Sequence, residues 1–178
     1  TMFDPAVAPD LYDLYGDAFT SRYRQLESDG LGASVVSART LYARMMRTLA
    51  ETGNGWMCWS DATNTKSNQT GGDSVIHSSN LCVEITEVTS PGEVAVCNLA
   101  SINLAQHTDR QGVDWAKLME TVRIAVTYLD RVIDRNFYPT VESSRSNLAW
   151  RPIGLGVMGL ADVFFKLGLD FDSTEAQD

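Results

Sequence analysis

Asn80, Cys82 and Glu84 follow one another at intervals of two, and Cys97 comes fifteen residues after Cys82. In an extended backbone, side chains two apart point the same way. The spacing therefore predicts an amide, a thiol and a carboxylate on one surface. That trio suits a sulfur-centred reaction on a hydroxylated substrate: Cys82 exchanges hydrogen with carbon, Glu84 moves a proton, and Asn80 fixes a hydroxyl. The plain alternatives are a small buried hydrophobe for Cys82, a solvated strand residue for Glu84 and a turn-former for Asn80. Cys97, flanked by Val96 and Leu99, also suits core packing.

The elements that must position these residues are legible from periodicity. Residues 83–89 alternate apolar and polar, the period of a half-buried strand. Ser90-Pro91-Gly92 turns the chain, and residues 93–103 form a second extended run. Cys82 is thereby expected where a loop enters a strand, and Cys97 inside the next strand. The polar residues 61–79 read as a surface loop, and residues 55–60 as a short strand. Helices are predicted over 9–28, 37–51, 113–135, 140–147 and 156–166, with Asp10 and Asp114 as caps and Gly30 and Gly53 as stops. No linker separates two domains.

Composition narrows the functions available. The net charge is −9, from 14 basic and 23 acidic residues, which opposes binding to DNA or RNA, where phosphate neutralisation needs clustered Lys and Arg. A single nucleotide is still allowed, since backbone N–H groups at a helix start can hold its phosphates. No run approaches the roughly 20 apolar residues of a membrane span. Three cysteines, with no C-x-x-C and no visible secretory signal, indicate reduced thiols and a cytoplasmic setting. His77 and His107 are too isolated for a zinc site. Gly154, Gly156 and Gly159 match G-x-G-x-x-G, but the polar residues before Pro152 are no strand end, so dinucleotide binding is rejected. Close helix packing explains the glycines better.

Several collinear blocks carry a resemblance: Ser79 to Ile85, Ala95 to Leu104, Asn136-Phe137-Tyr138-Pro139, and Arg151 to Val157, with Asn64 to Gln69 and Phe3-Asp4-Pro5 in support. Together they resemble the large catalytic subunit of class I ribonucleotide reductases. The resemblance implies an α/β fold, a partial segment of that family's ten-stranded α/β barrel with Cys82 on an active-site finger loop. Residues 1–178 would be one partial catalytic domain, lacking the N-terminal allosteric region and the C-terminal part of the barrel. It further implies that Cys82 becomes a thiyl radical and removes the ribose 3′ hydrogen. Glu84 would handle the 3′-hydroxyl proton, Asn80 would orient substrate, and Cys97 would form a redox disulfide with a cysteine outside this chain. Cys58 matches no cysteine of the family.

By the same resemblance the chain binds no cofactor and no metal itself. The radical comes from a metal-containing small (beta) subunit, and the electrons from thioredoxin or glutaredoxin. The remaining partners are the other pieces of the alpha subunit and a ribonucleotide substrate. Asp172 with Glu175 reads as a helix start cut short, so the chain is expected to be an internal fragment. Such a fragment would be inactive alone and would expose strand edges and apolar helix faces. The alternatives are a fragment of an adenosylcobalamin-dependent reductase, whose motif more often reads Asn-Pro-Cys, and a non-catalytic assembly module.

Overall fold

The computed structural model describes residues 1–69 and 74–177, and the chain divides into two compact units, Thr1–Glu93 and Val94–Asp178.

In the first unit the helix expected over 9–28 is two pieces, a 3-10 turn Pro9–Asp13 and helix α1, Gly16–Ser28. The break falls at Leu14 and Tyr15, both extended, and Gly16 has a φ of 60°, a left-handed value that only glycine adopts freely. Arg22 of α1 reaches back to Asp10 of the 3-10 turn and ties the pieces together. Tyr23 lies edge-on to Phe3 at 5.1 Å, and Leu26 is fully buried. Helix α2, Ala38–Thr52, follows the predicted limits: the Ser37 hydroxyl accepts the Thr40 N–H, and Gly53 closes the helix in the left-handed conformation.

Helix α3, Ser60–Lys66, occupies part of the stretch expected to be a strand and then a loop. Its Ser, Thr and Asn residues are weak helix formers, and tertiary contacts hold it instead. Asp61, in its first turn, accepts the Gly16 N–H at 2.8 Å, and Asn64 is buried. Residues 70–73 of the expected loop lie outside the described residues.

The strand expected over 83–89 does not form. An alternating pattern needs a neighbouring backbone to pair with, and here side chains take the backbone groups instead: Gln69 accepts the Val88 N–H, while Asn80 and Ser79 take the N–H and C=O of Ile85.

The second unit is built on a parallel pair. Strand β1, Leu99–Asn103, runs beside β4, Gly154–Met158, in the register Leu99 with Gly154 through Asn103 with Met158. Between them come a small antiparallel hairpin, β2 (Thr108–Asp109) with β3 (Gly112–Val113), and the helices α4 (Trp115–Arg135) and α5 (Val141–Trp150). Helix α6, Leu160–Leu167, follows β4, and α7, Thr174–Gln177, ends the described chain. Asp114 caps α4 by accepting the Lys117 N–H, as expected, and Thr140 and Ser143 form a reciprocal capping box on α5. At α7 the cap is Ser173 rather than Asp172; Asp178 is outside the described residues.

Residues 156–158, expected to open a helix, belong to β4. Glycine serves strand packing there: a Cβ on Gly154 would sit 2.6 Å from Leu99 Cδ2. Gly159 then turns the chain into α6 at φ 79°. The first two glycines of the G-x-G-x-x-G match thus lie within a strand and form no phosphate loop.

Ile102, Ala105, Leu129, Ile133 and Val163 form the second unit's core. Trp115, Val122, Val126 and Val132 of α4 are exposed, as are Leu99, Val157, Met158 and Phe165. A ladder of two strands offers too little surface to cover them. Among the described residues the ladder does not close into a barrel.

Candidate active-site segments

The loop between Ile76 and Val88 is anchored at both ends by buried amides. Asn64 accepts the Ile76 N–H at 2.8 Å and donates to the Ile76 C=O at 3.0 Å, so it pairs with that residue as a neighbouring strand would. Its amide also donates to the Ser60 carbonyl, which fixes it to the start of α3. Gln69 accepts the Val88 N–H at 2.8 Å. Asn64, Gln69, Ile76 and Val88 are all buried.

Further out, Ser79 donates to the Ile85 carbonyl at 2.6 Å, and the Asn80 side-chain oxygen accepts the Ile85 N–H at 3.1 Å. Beyond this tie the chain reverses, the Val83 N–H donating to the Asn80 carbonyl. Leu81 and Cys82 are the central residues of that turn. Val83 has a φ of 64°, an unusual conformation for a β-branched residue.

Cys82 and Glu84 are exposed on this loop and Asn80 is half-buried. The alternation expected to align the three does not hold, because side chains stop alternating where the backbone turns. A closed turn, rather than a strand, keeps Asn80, Cys82 and Glu84 in one short segment. At the start of the loop, His77 contacts the Asp13 carboxylate at 2.8 Å and stacks on Tyr12 at 4.2 Å. Both rings line an open groove of about 1000 Å³, which neither Cys82 nor Glu84 reaches.

Cys97 belongs to the second unit. It is exposed and lies two residues before β1, not inside a strand as expected. Its neighbour Asn98 is buried and ties three separated segments together. The Asn98 amide donates to the Asn147 side-chain oxygen at 2.7 Å and to the Pro152 carbonyl at 2.9 Å, while the Asn98 carbonyl accepts the Gly154 N–H. Asn147 in turn donates to the Tyr138 hydroxyl, which donates to the Ile133 carbonyl. The Cys97, Tyr138 and Pro152 blocks, separate in sequence, are parts of one network.

Asn64 and Gln69 bound one of the family-like blocks, but the sequence assigned no role to them or to Asn147. An amide inside a polar stretch or on a short helix looks solvent-facing until its backbone partners are known. Cys58 is exposed. Among the described residues no group of three or more His, Cys, Asp or Glu could hold a metal ion, and no helix is long and apolar enough to cross a membrane.

At the edge of the second unit, Arg151 is left-handed at the end of α5 and reaches Asp130 and Asp134 of α4. Its hydrogen bond holds the Asp134 carboxyl below the ordinary carboxylate range, and the Asp134 and Asp130 hydrogen bonds raise the Arg151 guanidinium in return.

The amino-acid sequence matches a known family along the whole chain. The family model of the ribonucleotide reductase barrel domain covers residues 1–178, and the chain belongs to that family. Its relatives include the ribonucleoside-diphosphate reductase large chain of Neurospora crassa, 44% identical over 178 residues, 99% of this chain and 19% of that protein. The large subunit of Trypanosoma brucei brucei is 45% identical over 177 residues, 99% of this chain and 21% of that protein. Subunit alpha of Chlamydia muridarum is 45% identical over 183 residues, 99% of this chain and 17% of that protein. The chain therefore spans about a fifth of the length of these relatives.

Proposed function

We propose that this chain supplies the thiol-bearing part of a ribonucleoside-diphosphate reductase large subunit, which reduces ribonucleotides to 2′-deoxyribonucleotides for DNA synthesis. The observation that carries this reading is Cys82 in a tied turn with Asn80 and Glu84 beside it, within a family match that runs the length of the chain. The relatives' names specify a diphosphate substrate and a large or alpha chain. That favours a two-subunit enzyme over the cobalamin-dependent type.

In the reaction, Cys82 passes its hydrogen to the radical system of a metal-containing small subunit, and the resulting thiyl removes the ribose 3′ hydrogen. Glu84 takes the 3′-hydroxyl proton as the 2′-hydroxyl, protonated from the cysteine pair, leaves as water, and it returns that proton to the 3′ oxygen at the end. Cys97 and a cysteine outside this chain give up two electrons and two protons and become a disulfide, and Cys82 returns its hydrogen to C3′. Thioredoxin or glutaredoxin then reduces the disulfide by thiol exchange. The Asn80 oxygen is held by Ile85, which leaves the amide nitrogen to meet a substrate hydroxyl. A thiyl persists only where water is excluded. The exposed loop thus has to enter an enclosure in the complete enzyme. The enzyme works in the cytoplasm, where thiols stay reduced.

The test is formation of deoxycytidine nucleotide by this chain, alone and combined with the rest of the large subunit, the small subunit and a dithiol reductant. Product in the combination only, abolished by Cys82→Ser, is the expected result. Full activity with Cys82→Ser overturns the radical role.

A further inference from the structure

We infer that Asn64 and Gln69 are positioning residues for the Cys82 loop, acting through its two ends; this rests on the proposed role of Cys82. Both hydrogen-bond to the backbone at the ends of the loop. Asn64 uses its acceptor and its donor on Ile76, and Gln69 uses its oxygen on Val88. Ile76 and Val88 are themselves core residues of the first unit. The eleven residues between them, 77–87, are held by these two anchors, by the Ser79–Asn80–Ile85 tie, and by His77, which meets the Thr89 carbonyl and the Asp13 carboxylate.

No ladder hydrogen bond flanks the loop, since the first unit contains no paired strand longer than an isolated bridge among its described residues. A reacting thiol needs its place fixed to a fraction of an ångström, and a small misplacement far from the chemistry lowers the rate steeply. Two side-chain amides, standing in for an absent neighbouring strand, supply that fixation. The geometry also explains why Asn and Gln stand at these positions. Asn64 must offer an acceptor and a donor together, which Asp or Leu of similar size cannot do.

The experiment compares Asn64→Ala, Asn64→Asp and Gln69→Met with the parent in the assembled reductase. Amide hydrogen exchange at Ile76 and Val88, turnover, and KM for the nucleotide are measured. Gln69→Met keeps the side-chain length and removes the amide, and with it the acceptor for the Val88 N–H. The expected result is exchange faster by about tenfold at the anchor that was cut, with unchanged protection at Leu26, and kcat lower by about tenfold with KM little changed. Asn64→Asp, which keeps the acceptor for Ile76, falls between parent and Asn64→Ala.

If Asn64→Ala loses protection at Leu26 as well, the unit has lost its fold and Gln69→Met carries the decision. Unchanged exchange at Val88 in that variant overturns the anchoring. Faster exchange with undiminished turnover overturns the positioning role. The Cys82→Ser control then separates the two ideas: if it is inactive, only the anchoring inference fails, and if it is active, the proposed function fails with it.

Discussion

Asn98 and Asn147, 49 residues apart, meet amide to amide at 2.7 Å, and both are buried. This contact joins the segment carrying Cys97 to α5, and through Tyr138 to the end of α4. The exposed thiol is therefore set on a rigid polar base rather than on apolar packing.

Replacing Asn147 by Leu should destabilise the second unit by about 2 kcal/mol. The change leaves the Asn98 amide short of a partner in a site closed to water, and desolvation without compensation costs more than the bond itself. Urea unfolding, followed by amide hydrogen exchange at Ile133, measures this. A change below about 0.5 kcal/mol, the range of ordinary surface substitutions, would show that the network contributes little.

Glu84→Gln keeps the shape of the loop and removes the proposed base. Turnover in the assembled enzyme should fall by about a hundredfold or more, the usual contribution of general acid–base groups. The melting temperature should not move, because Glu84 is exposed. A fall in stability matching the fall in rate would mean that Glu84 acts on the fold and not on substrate.

Val83→Gly tests the left-handed residue next to Cys82. Glycine removes a penalty of about 1–2 kcal/mol for that conformation but adds about 0.5–1 kcal/mol of backbone freedom to the unfolded chain. Stability should be unchanged or slightly raised while turnover declines, since the turn then samples more shapes. Denaturant titration and steady-state rates on the same variant check both halves.

The Arg151 pair makes a pH prediction. Arg151 lowers the Asp134 pKa from its ordinary 3.8. A carboxyl with a lowered folded-state pKa stabilises the fold above its unfolded value, and that contribution disappears as pH falls through the folded value. The stability difference between the parent and Arg151→Gly should be steady near neutrality and shrink below about pH 4. Glycine suits the left-handed backbone at this position, so the variant isolates the side chain. The groups are solvent-exposed, so added salt should weaken the difference. Thermal unfolding from pH 7 to pH 2.5 decides it.

Some of this was readable in the chain. Helices α2 and α4 declared themselves because each joins a 3.6-residue apolar period to a capping side chain, Ser37 or Asp114. Helix α3 did not, being made of Ser, Thr, Asp and Asn that only long-range contacts hold helical. Strand β4 was hidden by its glycines, of which Gly154 faces the Leu99 side chain closely. The alternation at 83–89 suggested a strand, but its hydrogen bonds go to Gln69, Asn80 and Ser79, whose reach no local pattern encodes. Of the site, the residue types and their collinear blocks were legible. The turn that holds Asn80, Cys82 and Glu84 was not, because it depends on side chains from α3 and beyond.

The pairing of β1 with β4 joins residues such as Leu99 and Gly154 across two intervening helices. Contacts so distant in sequence form late, after α4 and α5 have gained local structure. The surroundings of Cys97 are thus among the last features assembled during folding, and until then its thiol meets whatever oxidant the medium contains. Refolding yield of this polypeptide should therefore depend on keeping thiols reduced through that slow step, with mispaired cysteines as the characteristic product when they are not.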